Sequence, residues 1–330
     1  MILHESKEDF AALITLCSAH YNIMEEYVIK DYYLTRSLRN LSYSECKEYT
    51  VFKGGTSLSK VYNVIHRFSE DIDLVVLDPN SMTGNQRKLK LKKIVNTASE
   101  GLTADDDFNG TRASNFRKQR YYVPNLSSKE GLGEVSETIL IECNSFSKPV
   151  PVNVLPIRSL IAEFLLKEEK EELIEEYNLE DFEFNVLCWT RTFCEKLLGL
   201  IKSAYFGSLD KSSRHFYDLT MMLRSPEIET FLHDDERFFG LIGCVCDSDH
   251  LMEKDQKAGW ISDSPNLSES ALLHDPDETW EKVKSTYDGR FQDMITKIDT
   301  APSENEIKTM LYTVRTRLND RHQSQIALVD

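Results

Sequence analysis

No apolar run in this chain approaches the roughly 18 consecutive residues that a membrane-spanning helix requires, so no membrane partner is expected. The opening stretch MILHESKEDFAALITLC lacks both a basic leader segment and a small-residue cleavage site, and the expected location is therefore the cytoplasm. Cysteine is too sparse and scattered for a disulfide framework. The seven cysteines, spread from Cys17 to Cys246, are expected as buried or free thiols in a reducing compartment. Cys244 and Cys246 have no partners at metal-binding spacing and are expected in the core. Positive charge is also short. The 39 Lys and Arg residues against 55 Asp and Glu leave a net charge of −16, which argues against indiscriminate binding to nucleic acid or to an anionic surface. Neither a repeat period nor a low-complexity tract is present. What remains, 330 residues with 41% hydrophobic and 10% aromatic content, suits a globular protein of one large or two ordinary domains.

From Lys7 to Leu41 the apolar residues Phe10, Leu13, Ile14, Tyr21, Met24, Val28, Tyr32, Leu34, Leu38 and Leu41 recur mostly at helical spacing. The segment YTVF then reads as a short strand ending at Gly54-Gly55. A helix is expected over TSLSKVYNVIHRF, with Leu58, Val61, Tyr62 and Ile65 on one stripe. The segment DIDLVVL reads as a second strand, stopped by Asp78-Pro79-Asn80. Further strands are expected at RYYV, ETILIEC and DFEFNVLCW, separated by Pro- and Ser-containing stretches around Pro124 and from Lys148 to Pro156. A charged helix is expected from Ile157 to Tyr177, and only helical periodicity follows Thr190. The expected fold is an α/β (α+β, mixed-sheet) lobe over residues 1–188, preceded by its own helices, and an all-helical lobe over residues 189–330.

The span VFKGGTSLSKVYNVIHRFSEDIDLVVL, Val51 to Leu77, concentrates the chemistry. A helix that starts after two glycines offers unpaired N–H groups and a positive dipole end to phosphate, and Gly54 and Gly55 permit close approach. Thr56 and Ser57 add hydroxyls at the same end. Alternation along the next strand puts Asp71 and Asp73 on one face. Two carboxylates so placed repel each other unless a cation lies between them, and hard oxygen ligands suit Mg²⁺ or Mn²⁺. A phosphate cradle beside a metal site is the equipment of phosphoryl or nucleotidyl transfer.

The order and spacing of these pieces resemble the DNA polymerase β-like nucleotidyltransferases, although the fifteen residues between Gly55 and Asp71 exceed the usual gap. FKGGTSLSKVY and RFSEDIDL together resemble the signature of the AbiEii/AbiGii toxin family, the nucleotidyltransferase halves of abortive-infection and toxin–antitoxin pairs, which includes the MenT toxins. VIKDYYLTRSLRNL is similar to the family's N-terminal helix. TRTFCEKLLGLIKSAYFG and SRHFYDLTMML are similar to its downstream motifs, which implies catalytic roles for Lys196 and Asp218. The resemblance implies an NTP substrate, a divalent metal, an RNA acceptor such as the 3′ end of tRNA, a cognate antitoxin, and growth arrest as a form of antiviral defence. It also implies a third carboxylate, for which Glu142 in ETILIEC is the candidate; otherwise Glu142 is an edge-strand residue facing solvent. Lys60, Arg67 and Ser69 are candidate nucleotide contacts, and the resemblance makes Ser69 a candidate for modification by the antitoxin. Asp218 either pairs with Arg214, orients Lys196 or meets the nucleotide. His66 and His215 are expected to be structural. The basic stretch from Arg87 to Arg120 is expected near the site, where an acceptor would approach. Two rival readings are an antibiotic-type nucleotidyltransferase, favoured by the acidic charge, and a catalytically idle nucleotide-binding module.

Overall fold

The computed structural model describes residues 1–77, 82–126, 136–253 and 266–326; the turn expected at Asp78-Pro79-Asn80 lies outside the described residues. Helix α1 (Lys7–Tyr21) stops where Asn22 turns left-handed (φ 52°), a conformation that its short polar side chain tolerates, and α2 (Glu25–Ser42) follows. Both bury the stripe that their spacing predicts, from Phe10, Leu13 and Ile14 to Val28, Leu34, Leu38 and Leu41.

These helices cover one face of a mixed sheet. Its strands are β1 (Thr50–Lys53), β2 (Asp71–Val76), β3 (Thr103–Ala104), β4 (Thr111–Arg112), β5 (Phe116–Tyr122), β6 (Thr138–Asn144), β7 (Val152–Ile157) and β8 (Phe182–Leu187). Their order is β3-β5-β6-β2-β1-β8-β7, with β4 beside β5. β2 lies at the centre, antiparallel to β1 and parallel to β6. Alternation along β2 sends Ile72, Leu74 and Val76 into the main core with Ile139, Ile141, Cys143 and Phe52. The next helix, α4 (Gly84–Ala98), follows the short α3 (Gly54–Lys60) in the chain and closes that core with Leu91, Ile94, Val95 and Ala98. A capping box between Thr83 and Gln86 starts α4.

Four expectations need correction. The helix expected over Thr56–Phe68 is only α3, because Asn63 turns left-handed (φ 51°) and the Tyr62 hydroxyl donates to Leu187 O at 3.0 Å, which takes Tyr62 off the stripe. The stretch read as a connection around Pro151 and Pro156 contains β7. As an edge strand paired only with β8, it tolerates Pro156, whose missing N–H disrupts no central ladder. The single charged helix is two, α5 (Leu160–Lys167) and α6 (Glu171–Glu176), separated where Glu169 is left-handed (φ 54°). The lysines of α4 belong to an element packed on the sheet face opposite Asp71 and Asp73: Lys90 lies 4.2 Å from the centre of the Tyr49 ring, and Lys93 pairs with Glu45.

The chain divides into two compact units, Met1–Asn63 with Phe68–Cys188, and Val64–Arg67 with Trp189–Asp330. The second contains α7 (Trp189–Tyr205), α8 (Ser213–Leu223), α9 (Pro226–His233), α10 (Asp235–Glu253), α11 (Pro276–Tyr287) and α12 (Glu304–Ile326). Its core is built from Leu197, Ile201, Phe216, Leu219, Phe231, Phe238, Trp280 and Leu311. Val64–Arg67 is stitched into this unit. Thr296 donates its backbone N–H and its hydroxyl to His66 O (2.9 and 3.0 Å), and Arg67 forms an antiparallel bridge with Ile295.

In the first unit, the segment leading into β2 is held by α2. Tyr27 stacks on Phe68 at 4.1 Å, and Lys30, fully buried, pairs with Glu70 and reaches Ser136 Oγ at 3.4 Å. Burial lowers the Lys30 pKa, and Glu70 opposes that shift. Replacing Glu70 by Leu strands a buried ammonium and should destabilise the unit by about 3 kcal/mol in urea titrations at pH 7, whereas Lys30→Met/Glu70→Leu should recover most of that loss. Equal stability of the single and double variants would count against this pairing.

Candidate active site

The sheet face opposite the main core carries the charges. Asp71 and Asp73 point there, about 7 Å apart along β2. In register beside Asp73 stand Lys53 on β1 and Glu142 on β6. Beyond Glu142, in register on β5, is Lys118, whose Nζ lies 2.6 Å from Glu142 Oε1. Among the described residues, no group of three or more His, Cys, Asp or Glu is placed to hold a metal ion. Glu142, the candidate third carboxylate, stands in register beside Asp73 and pairs with Lys118 on the neighbouring strand. Asp71 and Asp73 remain a donor pair that fits Mg²⁺ or Mn²⁺, since Mg²⁺ is usually bound through one or two carboxylates and completed by water and phosphate oxygens. Of the basic stretch, Lys118 and Arg120 share this face, and Arg120 lies 4.4 Å from the Phe108 ring centre and 3.7 Å from Asp105.

The glycine turn is pressed against Asp73. Gly54 has φ +81°, and a Cβ built on it would lie 2.1 Å from Asp73 Oδ2. Only glycine combines that backbone conformation with that contact. Thr56 and Ser57, expected to offer hydroxyls to phosphate, are buried and use them locally. Thr56 Oγ1 donates to Asp71 O at 2.6 Å and lies 2.9 Å from Ser69 Oγ; Ser57 Oγ donates to Gly54 O at 2.8 Å. These bonds tie the first turn of α3 to the start of β2. Lys60 is likewise taken up internally, by Asp31, whose second oxygen accepts from Leu160 N at 2.7 Å.

In the second unit, Asp218 on α8 is completely buried between two cations. Arg67 grips both of its oxygens, Nε to Oδ1 and Nη2 to Oδ2, each at 2.7 Å, and Lys196 of α7 lies 2.7 Å from Oδ2. Burial alone would raise the Asp218 pKa, but Arg67 and then Lys196 outweigh it and hold the carboxyl below its usual range. Of the alternatives for Asp218, the geometry selects the pairing with Lys196. His215 is half-buried beside them, and desolvation followed by the Lys196 charge pushes its pKa down to about 3, so the imidazole is neutral.

The model of the AbiEii family, described as nucleotidyl transferase AbiEii toxin of type IV toxin–antitoxin systems, matches residues 36–304. This chain belongs to that family. The AbiEii match makes it a nucleotidyltransferase enzyme of a toxin–antitoxin system, for which an NTP substrate and a cognate antitoxin are implied. Among solved structures the chain is similar to MenT4, a nucleotidyltransferase toxin from Mycobacterium tuberculosis H37Rv, with 15% identity, a TM-score of 0.47, and coverage of 92% of this chain and 99% of that one. None of the curated proteins compared with it matches. Among the described residues of this AbiEii toxin, no helix is long and apolar enough to cross a membrane.

Sequence reasoning missed one residue on the carboxylate face. Lys53 ends β1 immediately before the glycines, and alternation from the buried Phe52 was the available signal. Two outcomes test the geometry of this AbiEii chain. Gly54→Ala should destabilise the protein by more than about 1 kcal/mol in denaturant titration and remove activity, because the strain and the clash both fall on Asp73. An unperturbed variant would refute the close approach. Because the folded-state pKa of Asp218 is depressed, its contribution to stability is full above the unfolded value near 4 and is lost as pH falls toward the folded value. Melting temperatures of Asp218→Asn should therefore be lower at neutral pH and less sensitive to acid below about pH 4 than those of wild type.

Proposed function

We propose that this toxin transfers a nucleoside monophosphate from an NTP to a hydroxyl of an RNA acceptor, the 3′ end of tRNA, in a Mg²⁺-dependent reaction that arrests growth as an antiviral response in the cytoplasm. The observation that carries the reading is the carboxylate pair Asp71 and Asp73 on one strand face, with Gly54 pressed against Asp73 Oδ2. Bound between Asp71 and Asp73, Mg²⁺ would neutralise phosphate charge and align the attacking and leaving oxygens. Gly54 and Gly55 leave room for phosphate oxygens at the start of α3. The acceptor hydroxyl oxygen bonds to the α-phosphorus, its proton passes to Glu142, and the bond to the bridging oxygen breaks to release pyrophosphate. Lys196 offsets the charge that develops on that leaving group. The cognate antitoxin restrains this activity in the producing cell.

The acidic balance of the chain favours a small cationic acceptor as the second reading. One assay separates the two. Wild-type protein incubated with labelled NTPs, Mg²⁺ and total tRNA should place label on tRNA. Chelation, Asp71→Asn or Asp73→Asn should each reduce that labelling by at least about 100-fold without lowering the melting temperature, since each substitution relieves carboxylate repulsion while keeping size. Label on an aminoglycoside but not on tRNA would support the second reading. Full activity of both Asn variants would overturn the carboxylate mechanism.

A further inference from the structure

Lys53 closes β1 on the carboxylate face, and the transfer mechanism gives it no task. Its partner in register across the antiparallel ladder is Asp73, which sets their Cβ atoms about 5 Å apart. On the other side of Asp73, Glu142 stands in register on β6, and beyond it Lys118 of β5 meets Glu142 at 2.6 Å. One row across β1, β2, β6 and β5 therefore reads lysine, aspartate, glutamate, lysine. Asp73 also reaches toward the end of β1, since its Oδ2 lies 2.1 Å from where a Cβ would stand on Gly54, the residue after Lys53. Lys53 and both aspartates are half-buried, so the ammonium acts on them through a medium that screens less than bulk water.

A cation fixed at that place discriminates by sign. A bare divalent ion that enters between Asp71 and Asp73 comes close to the ammonium and is repelled by it, whereas a metal–triphosphate complex carries net negative charge and is attracted. Both signs hold whatever else the ammonium touches, because removing it always makes the site more negative. Lys118 lies two strands from Asp73 and is matched by Glu142, so its hold on a ligand at the aspartates is weaker.

We infer that Lys53 is a specificity-determining residue that disfavours the free divalent ion and favours the anionic metal–triphosphate complex, so that metal and nucleotide enter together. The inference rests on the reading above, in which Asp71 and Asp73 take the metal that accompanies the NTP. Calorimetric titration with Mn²⁺ alone and with Mn²⁺–tripolyphosphate tests it without turnover. In Lys53→Met, Mn²⁺ should bind about 5- to 50-fold tighter than in wild type and Mn²⁺–tripolyphosphate about 5- to 50-fold weaker, the range for one partly screened charge a few ångströms away. Lys53→Arg keeps the charge and should stay within about threefold of wild type for both ligands. Lys118→Met should shift both affinities less than Lys53→Met does. A merely structural role for Lys53 would weaken both ligands together. Shifts of the two affinities in the same direction, or none, would overturn the inference, as would shifts in Lys118→Met as large as those in Lys53→Met. Where Lys53→Met does not fold, Lys53→Gln takes its place with the same expected signs. Wild-type protein that labels neither tRNA nor an aminoglycoside would overturn the functional reading instead, and the two titrations would still decide whether Lys53 sets the charge preference of the carboxylate pair.

Discussion

The register of β2 is the constraint from which the rest follows. Ile72, Leu74 and Val76 enter the main core on one face, so Asp71 and Asp73 must occupy the other. A slip of one residue would bury both carboxylates among leucines and isoleucines and expose the apolar residues, which explains why so much of the first unit grips this strand. Thr56 bonds to the carbonyl of Asp71, Lys30 holds Glu70, Tyr27 stacks on Phe68, and Gly54 packs against Asp73.

Several further charges lie buried, and the described pairs follow one rule. Lys30 meets Glu70, Lys60 meets Asp31, and Arg67 and Lys196 meet Asp218. Such pairs contribute little net stability, because desolvation offsets most of their attraction, but breaking one leaves an uncompensated charge. Their effect is to fix positions. Lys30 and Asp31 are successive residues of α2, and they hold the segment before β2 and the end of α3 respectively, so one helix fixes both ends of the connection from α3 to β2. The cluster around Asp218 differs from the other two in joining two basic side chains to one carboxylate.

The acidic composition of an enzyme proposed to act on RNA needs a local explanation. Lys118 and Arg120 share the face of Asp73, but each already has an acidic neighbour, Glu142 and Asp105. The lysines of α4 are on the far side of the sheet. Positive charge at the carboxylate face is therefore limited and partly neutralised, which favours contact with a short segment of acceptor over broad electrostatic adhesion.

Much of this was legible in the sequence because it depends on local rules. Alternation in DIDLVVL put Asp71 and Asp73 on one face, the glycine pair marked the turn, helical spacing marked α1 and α2, and the motifs around Lys196 and Asp218 pointed to the family that the family model matches. What the sequence could not determine was which groups meet across elements. Thr56 and Ser57 looked like phosphate donors, yet tertiary packing turned their hydroxyls onto nearby oxygens. Glu142 was read as a third carboxylate, and only the fold brings Lys118 of the antiparallel neighbour against it. β7 was hidden by its prolines, which only its edge position makes tolerable. Arg67 and Asp218 are far apart in the chain, and no periodicity links them. Only the folded chain decides that a carboxylate, once buried, takes whichever cations the packing brings within reach.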